Sequence, residues 1–187
     1  MNDDQFLRNK VPMTKAEVRS VSIERLALGH KKSMLDIGSG TGSVSIQASL
    51  EYPNLKVTAV EKNPDGIAIM RENLKKFNIK NIELMSGTAP TDLPDQNFDS
   101  IFVGGSGGEL GEIIEYSFEH LNKNGCLVLN FILLENAIEA TQLLEKSVFS
   151  DLQVSRIEVS HIKKLGKGHF FVPQNPTIII SARKDGE

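Results

Sequence analysis

A chain of 187 residues with 40% hydrophobic and 24% charged side chains has the size and balance of one globular domain, which excludes a disordered or fibrous segment. Its net charge of −3 supplies no global basic field for nucleic acid, and no apolar run approaches the roughly 20 residues that span a bilayer. A single cysteine, Cys126, excludes an internal disulfide and a multi-cysteine metal site, and the polar stretch 1–10 lacks the apolar core of a signal peptide, so a cytoplasmic address is expected.

In chain order, residues 15–28 predict a helix with Val18, Val21, Ser22, Leu26 and Ala27 on one side. Residues 34–37 read as a buried strand running into glycines, and 43–51 as a helix stopped near Pro53. A strand over 56–60 is closed by Glu61. Asn63-Pro64 then opens a helix to about Phe77, with the proline in the first turn, where its missing N–H costs little. Strands follow at 82–85 and 98–103. A helix spans 109–121, and Asn124-Gly125 turns the chain into a strand over 126–131. Another helix is expected after Glu135, to about Phe149.

The remainder differs. Residues 152–162 alternate, and 170–172 and 177–182 are β-rich with no helix between, which predicts an antiparallel hairpin on the far edge of the sheet. The whole is an α/β pattern, Rossmann-like, with a mostly parallel sheet covered by helices. The expected organisation is one domain: an arm and helix over 1–30, a cofactor-binding core over 31–150, and a terminal hairpin on the substrate side over 151–187. No tandem repeat or low-complexity stretch interrupts it.

The strongest local signal is Asp36-Ile37-Gly38-Ser39-Gly40-Thr41-Gly42, between a predicted strand and a predicted helix. Glycines there permit a tight turn and let backbone N–H groups approach a ligand. A dinucleotide site reads G-x-G-x-x-G, whose third glycine would fall at Ser43; here the glycines fall at every second residue. The D-x-G-x-G-x-G form resembles the S-adenosylmethionine loop of methyltransferases. Asp36 can accept hydrogen bonds, directly or through water, from the ammonium region of that ligand. Glu61, at the end of the second strand, can accept from both ribose hydroxyls, a device shared with NAD enzymes. Gly87-Thr88-Ala89-Pro90 follows the third strand, where such enzymes contact adenine. Thr88 stands where many carry Asp to bond the exocyclic amine; its hydroxyl can accept such a bond as a weaker, neutral acceptor, and the Ala89 backbone N–H is the better candidate for the ring nitrogen.

The fourth strand runs into Gly104, Gly105, Ser106, Gly107, Gly108 and Glu109. Composition leaves two readings open: a flexible loop, or a floor over which a broad, flat substrate lies close to the methyl donor. Glu109, at the start of the next helix, is placed to point into the cleft.

This loop resembles that of the decarboxylating cobalt-precorrin-6B methyltransferases of cobalamin biosynthesis, also known as the precorrin decarboxylase half of a fused enzyme of the aerobic route. The likeness extends to Met13-Thr14-Lys15-Ala16-Glu17-Val18-Arg19, to 36–42, to Gly87-Thr88-Ala89-Pro90, to Ile132-Leu133-Leu134-Glu135 and to Asn175-Pro176. The resemblance implies methylation at carbon 15 of a cobalt-containing tetrapyrrole, coupled to loss of carbon dioxide from the acetate chain at carbon 12. It implies a cofactor site on Thr14, Gly38 to Gly42, Glu61 and Ala89, a homo-oligomer of tetrameric type, and one only of the fused enzyme's two methylations. Thr88 is the chief departure from the family pattern.

Substrate carboxylates need cations. Lys163, Lys164, Lys167 and His169 cluster between the last strands, and Arg8, Lys10, Lys15 and Arg19 at the front of the chain; for each group the competing reading is a solvated face. The first group is the expected carboxylate site. No catalytic base or metal site is assigned, because a sulfonium methyl is already activated and alignment is the main requirement. His30, His120 and His161 read as surface residues, and Cys126 as a small buried strand residue. The alternatives are a methyltransferase of another small molecule, RNA or protein, a non-catalytic nucleotide-binding subunit, and an NAD enzyme. The intact cofactor loop disfavours the second, and its glycine spacing the third. The strand around Asn130 lacks an Asn-Pro-Pro-aromatic signature, which disfavours methylation of base amines.

Overall fold

The computed structural model describes residues 1–186. After an irregular arm come α1 (Ala16–Arg25), β1 (Ser33–Ile37), α2 (Ser43–Glu51), β2 (Lys56–Glu61), α3 (Pro64–Lys76), β3 (Ile82–Ser86), β4 (Phe98–Val103), α4 (Leu110–His120), β5 (Leu121–Phe131) and α5 (Leu134–Glu145). Four strands end the chain: β6 (Phe149–Ile157), β7 (Ser160–Leu165), β8 (Gly168–Pro173) and β9 (Thr177–Lys184). Seven strands form one sheet in the order β3-β2-β1-β4-β5-β9-β6, in which β9 runs antiparallel to both its neighbours while β1 to β5 pair in parallel. Among the described residues no helix is long and apolar enough to cross a membrane.

Strand alternation splits the core between the two faces of the sheet. Leu35, Ile37, Ile101, Val103, Leu127 and Leu129 pack with Ile113 of α4 and Ala140 and Leu144 of α5. Met34, Phe102, Val128 and Ile179 pack on the other face with Val18 and Ile23 of α1 and Val44 and Ala48 of α2. Each such fully buried Val, Leu, Ile, Phe or Met side chain contributes about 1.5–3 kcal/mol of burial. In α2, Ser43, Ser45, Ala48 and Ser49 are all buried, and their small side chains let the helix lie close under the sheet. Asn63 caps α3 by accepting from the Asp65 N–H at 2.9 Å, with Pro64 in the first turn.

Four expectations change in detail. The first helix stops at Arg25, two residues before Ala27 takes a left-handed φ of 51°. The fifth ends at Glu145 because Ser147 turns the chain: its hydroxyl donates to the Leu144 carbonyl at 2.7 Å and accepts from the Phe149 N–H at 3.2 Å, so Phe149 begins a strand. The terminal antiparallel element is also more elaborate than an edge hairpin. β9 inserts between β5 and β6, and β7 and β8 leave the sheet as a separate two-stranded ribbon. The Asn124-Gly125 turn is present, but as an irregularity within β5: Phe98 pairs with Leu121 and Ser100 with Cys126.

Candidate active site

The carboxyl ends of β1 to β5 open into one cavity of about 800 Å³, within the range of small-molecule sites. It lies where the strand order reverses between β1 and β4, the place at which open α/β sheets leave a crevice. The arm, through Arg8 and residues 10–15, and the β8–β9 connection, through Gln174 and Asn175, complete its walls.

The loop after β1 is built by close backbone approach. Gly38 has φ +72°, and a Cβ there would stand 2.9 Å from the Gly105 nitrogen in the loop after β4, so only glycine fits. The Gly38 N–H donates to the Val60 carbonyl at 2.9 Å, and the Gly104 N–H to that of Ile37 at 2.8 Å, which ties three strand ends together. Glu61 is almost fully buried. Its carboxylate accepts from the Gly40 N–H and the Asn63 N–H, each at 2.7 Å, which fixes it at the cavity edge with lone pairs to spare. Gly66 of α3 leaves the room this needs, because a Cβ there would lie 2.9 Å from Glu61 Cγ.

Asp36 stands beneath the loop rather than in the cavity wall, as the alternation along β1 turns it toward α2, where its Oδ2 accepts from the Ser45 hydroxyl. Complete burial, with Glu61 adding repulsion, pushes its carboxyl up to about 7 against the opposing Ser45 bond. Asp36 Oδ1 and Thr41 Oγ1 are buried polar atoms without a partner. Such atoms are uncommon and call for an account. Acceptors at Glu61 and Thr41 around a glycine cradle fit S-adenosylmethionine, whose ammonium and ribose hydroxyls are donors.

Of the residues expected to hold the cofactor, Thr14, Gly38, Ser39, Gly40, Thr41, Glu61 and Ala89 line the cavity together. Gly42 lies just behind, against Met70, while Asp36 sits underneath. Thr88 is exposed and outside the lining, and its backbone N–H donates to Asp92 Oδ2 at 2.8 Å.

In the loop after β4, Gly104, Gly105, Ser106 and Gly107 line the cavity, while Gly108 and Glu109 lie outside that lining. A Cβ on Gly105 would meet nothing within 4 Å. Gly107 differs, with φ +63° and Lys62 Nζ 2.9 Å from the Cβ position. Lys163, Lys164, Lys167 and His169 stand exposed on the β7–β8 ribbon, apart from the cavity wall. Arg8, Lys10 and Lys15 of the front cluster do line it, and Arg19 is completely buried behind it. The sequence reading missed Lys62, although it directly follows Glu61, and Gln174, which carries no local motif. His120 stacks on Tyr116 away from the cavity, His161 lies 3.4 Å from Glu17, and Cys126 is buried in β5.

A family model described as the precorrin methyltransferase domain matches residues 4–184. The chain is 39% identical over 186 residues to the cobalt-precorrin-6B C(15)-methyltransferase (decarboxylating) of Salmonella typhimurium, covering 99% of this chain and 96% of that protein. It is 37% identical over 186 residues to the probable enzyme of the same name from Sulfolobus acidocaldarius, covering 97% and 96%. Among solved structures, precorrin-6y C5,15-methyltransferase from Geobacter metallireducens superposes with a TM-score of 0.92 at 39% identity, covering 98% of this chain and 95% of that one. The precorrin 8w decarboxylase of Methanobacterium thermoautotrophicum gives 0.88 at 31% identity, covering 97% and 98%.

Proposed function

This chain belongs to the precorrin methyltransferase family, and on that premise we propose that it methylates carbon 15 of cobalt-precorrin-6B and removes carbon dioxide from the acetate chain at carbon 12. The reaction class, a decarboxylating methyl transfer in cobalamin biosynthesis, is that of its relatives. The observation that carries the reading is the cavity itself: a glycine cradle and a pinned Glu61 on one side, and the open loop at Gly105 on the other.

S-adenosylmethionine supplies, when bound, a methyl group already activated by its sulfonium. The chain's own contribution is binding, alignment and exclusion of water. Glu61 offers its remaining lone pairs to the ribose hydroxyls, and the Ala89 N–H faces the adenine side. Thr41 Oγ1 accepts from the amino-acid end of the ligand, with Asp36 adding a carboxylate beneath. Gly105 leaves flat room for the macrocycle above the strand ends. Arg8, Lys10, Lys15 and Lys62 line the cavity and receive peripheral carboxylates, an assignment placed ahead of Lys163, Lys164, Lys167 and His169 on the ribbon. In the decarboxylation the C–C bond to the departing carboxylate breaks, its electron pair passes into the conjugated macrocycle, and the carbon left behind takes up one proton while the newly methylated carbon gives one up, so the protein need supply no electron sink.

We also propose that the enzyme works in the cytoplasm as a homo-oligomer, a tetramer. Ile162 and Phe171 are exposed on one face of the β7–β8 ribbon and Leu165 and Phe170 on the other, apolar surface of the kind that marks an interface. Light scattering tests this, and a monodisperse monomer would overturn it. The test of function is incubation with labelled S-adenosylmethionine and cobalt-precorrin-6B. One methyl gained and one carbon dioxide lost in the product supports the reading, and an unaltered tetrapyrrole sinks it.

A further inference from the structure

We infer that Arg19 and Asn73, whose side chains lie outside the cavity, are positioning residues that strap the N-terminal arm across it and thereby set cofactor affinity. This rests on the S-adenosylmethionine reading above.

The arm supplies much of one cavity wall, yet apart from a short 3-10 turn at Asp3–Gln5 it has no regular structure before α1. A segment without a ladder of backbone bonds is held by whatever side chains reach it. Two fully buried polar residues do so. Arg19 grips the arm near both ends. Its Nη2 donates to the Met1 carbonyl at 2.7 Å and its Nη1 to the Thr14 carbonyl at 2.7 Å, with Asp3 Oδ1 at 3.3 Å. Its Nε donates to Gln47 Oε1 of α2 at 2.6 Å, and the guanidinium lies 4.9 Å from the centroid of the Phe6 ring.

Asn73, on α3, grips the middle. Its Oδ1 accepts from the Leu7 N–H at 2.8 Å, and its Nδ2 donates both to the Leu7 carbonyl at 2.8 Å and to the Thr41 carbonyl at 2.9 Å. One amide therefore joins the arm to the cofactor loop. The two backbones also run close together, since the Pro12 carbonyl oxygen lies 3.1 Å from where a Cβ on Gly40 would be.

A buried guanidinium is an expensive way to add stability, because its desolvation offsets much of the attraction it gains. What five directed donors provide is a single geometry. Here that geometry places the Thr14 carbonyl, and so the Thr14 side, against the cavity. Asn73 transmits the same constraint to Thr41, whose hydroxyl is unpartnered. Loosening either residue frees the wall without removing any group that touches the ligand, so the bound cofactor escapes faster.

The experiment measures S-adenosylhomocysteine affinity and dissociation rate well below the melting temperature, for the unaltered chain, Asn73→Ala, Arg19→Lys and the distant core variant Leu144→Ala. The last supplies comparable loss of stability without touching the arm. The strap predicts a Kd raised tenfold or more in Asn73→Ala, mainly through faster dissociation, a smaller rise in Arg19→Lys, and a change within twofold in Leu144→Ala. Tryptic cleavage at Arg8 and Lys10 should quicken in the two strap variants. Wild-type affinity in folded Asn73→Ala and Arg19→Lys overturns the inference. If those variants do not fold, hydrogen exchange on the unaltered chain decides: amides 7–14 must slow when S-adenosylhomocysteine binds, and unchanged exchange there overturns it. Failure of the unaltered chain to bind the ligand at all removes instead the cofactor reading on which the strap depends.

Discussion

The loops after β1 and β4 look alike in sequence, each a run of glycines interrupted by hydroxyl residues, yet Gly38 and Gly105, where the two loops meet, use glycine for opposite reasons. In the first, Gly38 is required by its left-handed backbone and by the Gly105 nitrogen 2.9 Å from its Cβ position. In the second, Gly105 is under no such pressure, and a Cβ there enters open space. The rest of the second loop is constrained like the first, Gly104 by a Cβ position 3.0 Å from the Gly38 carbonyl oxygen and Gly107 and Gly108 by φ of +63° and +107°, so Gly105 alone is a glycine on which the protein makes no demand. A cofactor common to many enzymes needs a rigid backbone cradle, whereas a broad planar substrate needs the absence of side chains.

Gly38→Ala carries the largest expected effect. Left-handed strain and a backbone clash together cost about 3–5 kcal/mol, so both thermal stability and S-adenosylhomocysteine binding should collapse in melting and titration experiments. If the variant is as stable as the parent, the first loop is not held by close approach.

Next comes the carboxyl group beneath that loop. Asp36 is raised to about 7 from an ordinary value of 3.8, chiefly by desolvation. A carboxyl with a raised folded-state value makes the folded protein bind more protons than the unfolded chain between those two pH values. Its contribution is therefore fully present at the acid end, is lost as pH rises from about 4 to about 7, and is flat above. The loss is on the order of 4 kcal/mol. In denaturant titrations Asp36→Asn should remove this slope and gain on the parent as pH rises. Identical pH profiles for the two proteins would place the unfavourable charge elsewhere.

Glu61→Gln keeps the side-chain length but replaces one carboxylate oxygen with an NH2 that cannot accept, so a charged acceptor is lost and either the Gly40 or the Asn63 N–H loses its partner. Its S-adenosylhomocysteine Kd should rise by the equivalent of roughly 1–3 kcal/mol. An unchanged Kd would mean that the ribose is held by other groups. The smallest effect belongs to the second loop. Gly105→Val should reduce turnover of cobalt-precorrin-6B by about tenfold, near 1.4 kcal/mol, with S-adenosylhomocysteine affinity within twofold. Gly107 is the poorer probe of volume, because its φ of +63° and the Lys62 ammonium confound strain and charge with space. Full turnover in Gly105→Val would take the loop away from the substrate.

Much of this was legible beforehand where the governing interaction is local. Helix starts such as Asn63-Pro64, strands such as 34–37, and the glycine cradle with Glu61 all announce themselves within a few residues. What stayed hidden depends on the chain meeting itself from afar. The Ser147 turn shortens α5 through bonds that no periodicity registers, and β9 chooses its neighbours over long separations. Arg19 reads as one of a cluster of front-end cations, and nothing nearby in sequence shows that it is sealed under the arm. Asn73 lies within an amphipathic helix and resembles any solvated polar residue until Leu7 and Thr41 are brought to it. The cations illustrate the same limit: Lys163, Lys164, Lys167 and His169 cluster in sequence yet stand on the ribbon, while Lys62 lines the cavity without any such cluster to mark it.

The placement of β9 bears on how the chain reaches this state. β9 stands between β5 and β6, so β6 has no sheet partner until a strand made later has arrived. The ribbon offers a route: β7 and β8 are joined by a tight turn and can zip by local contacts on the microsecond scale of hairpins. That closure brings the flanking β6 and β9 side by side, as an antiparallel pair ready to add to β5 in one step. Docking of this preassembled pair is the high-contact-order event and the natural bottleneck. Until it happens β5 is an open edge of Cys126, Leu127, Val128 and Leu129, an adhesive strand that a second unfinished molecule can claim. Refolding yield should therefore fall with protein concentration, and a ribbon turn that closes slowly should worsen it.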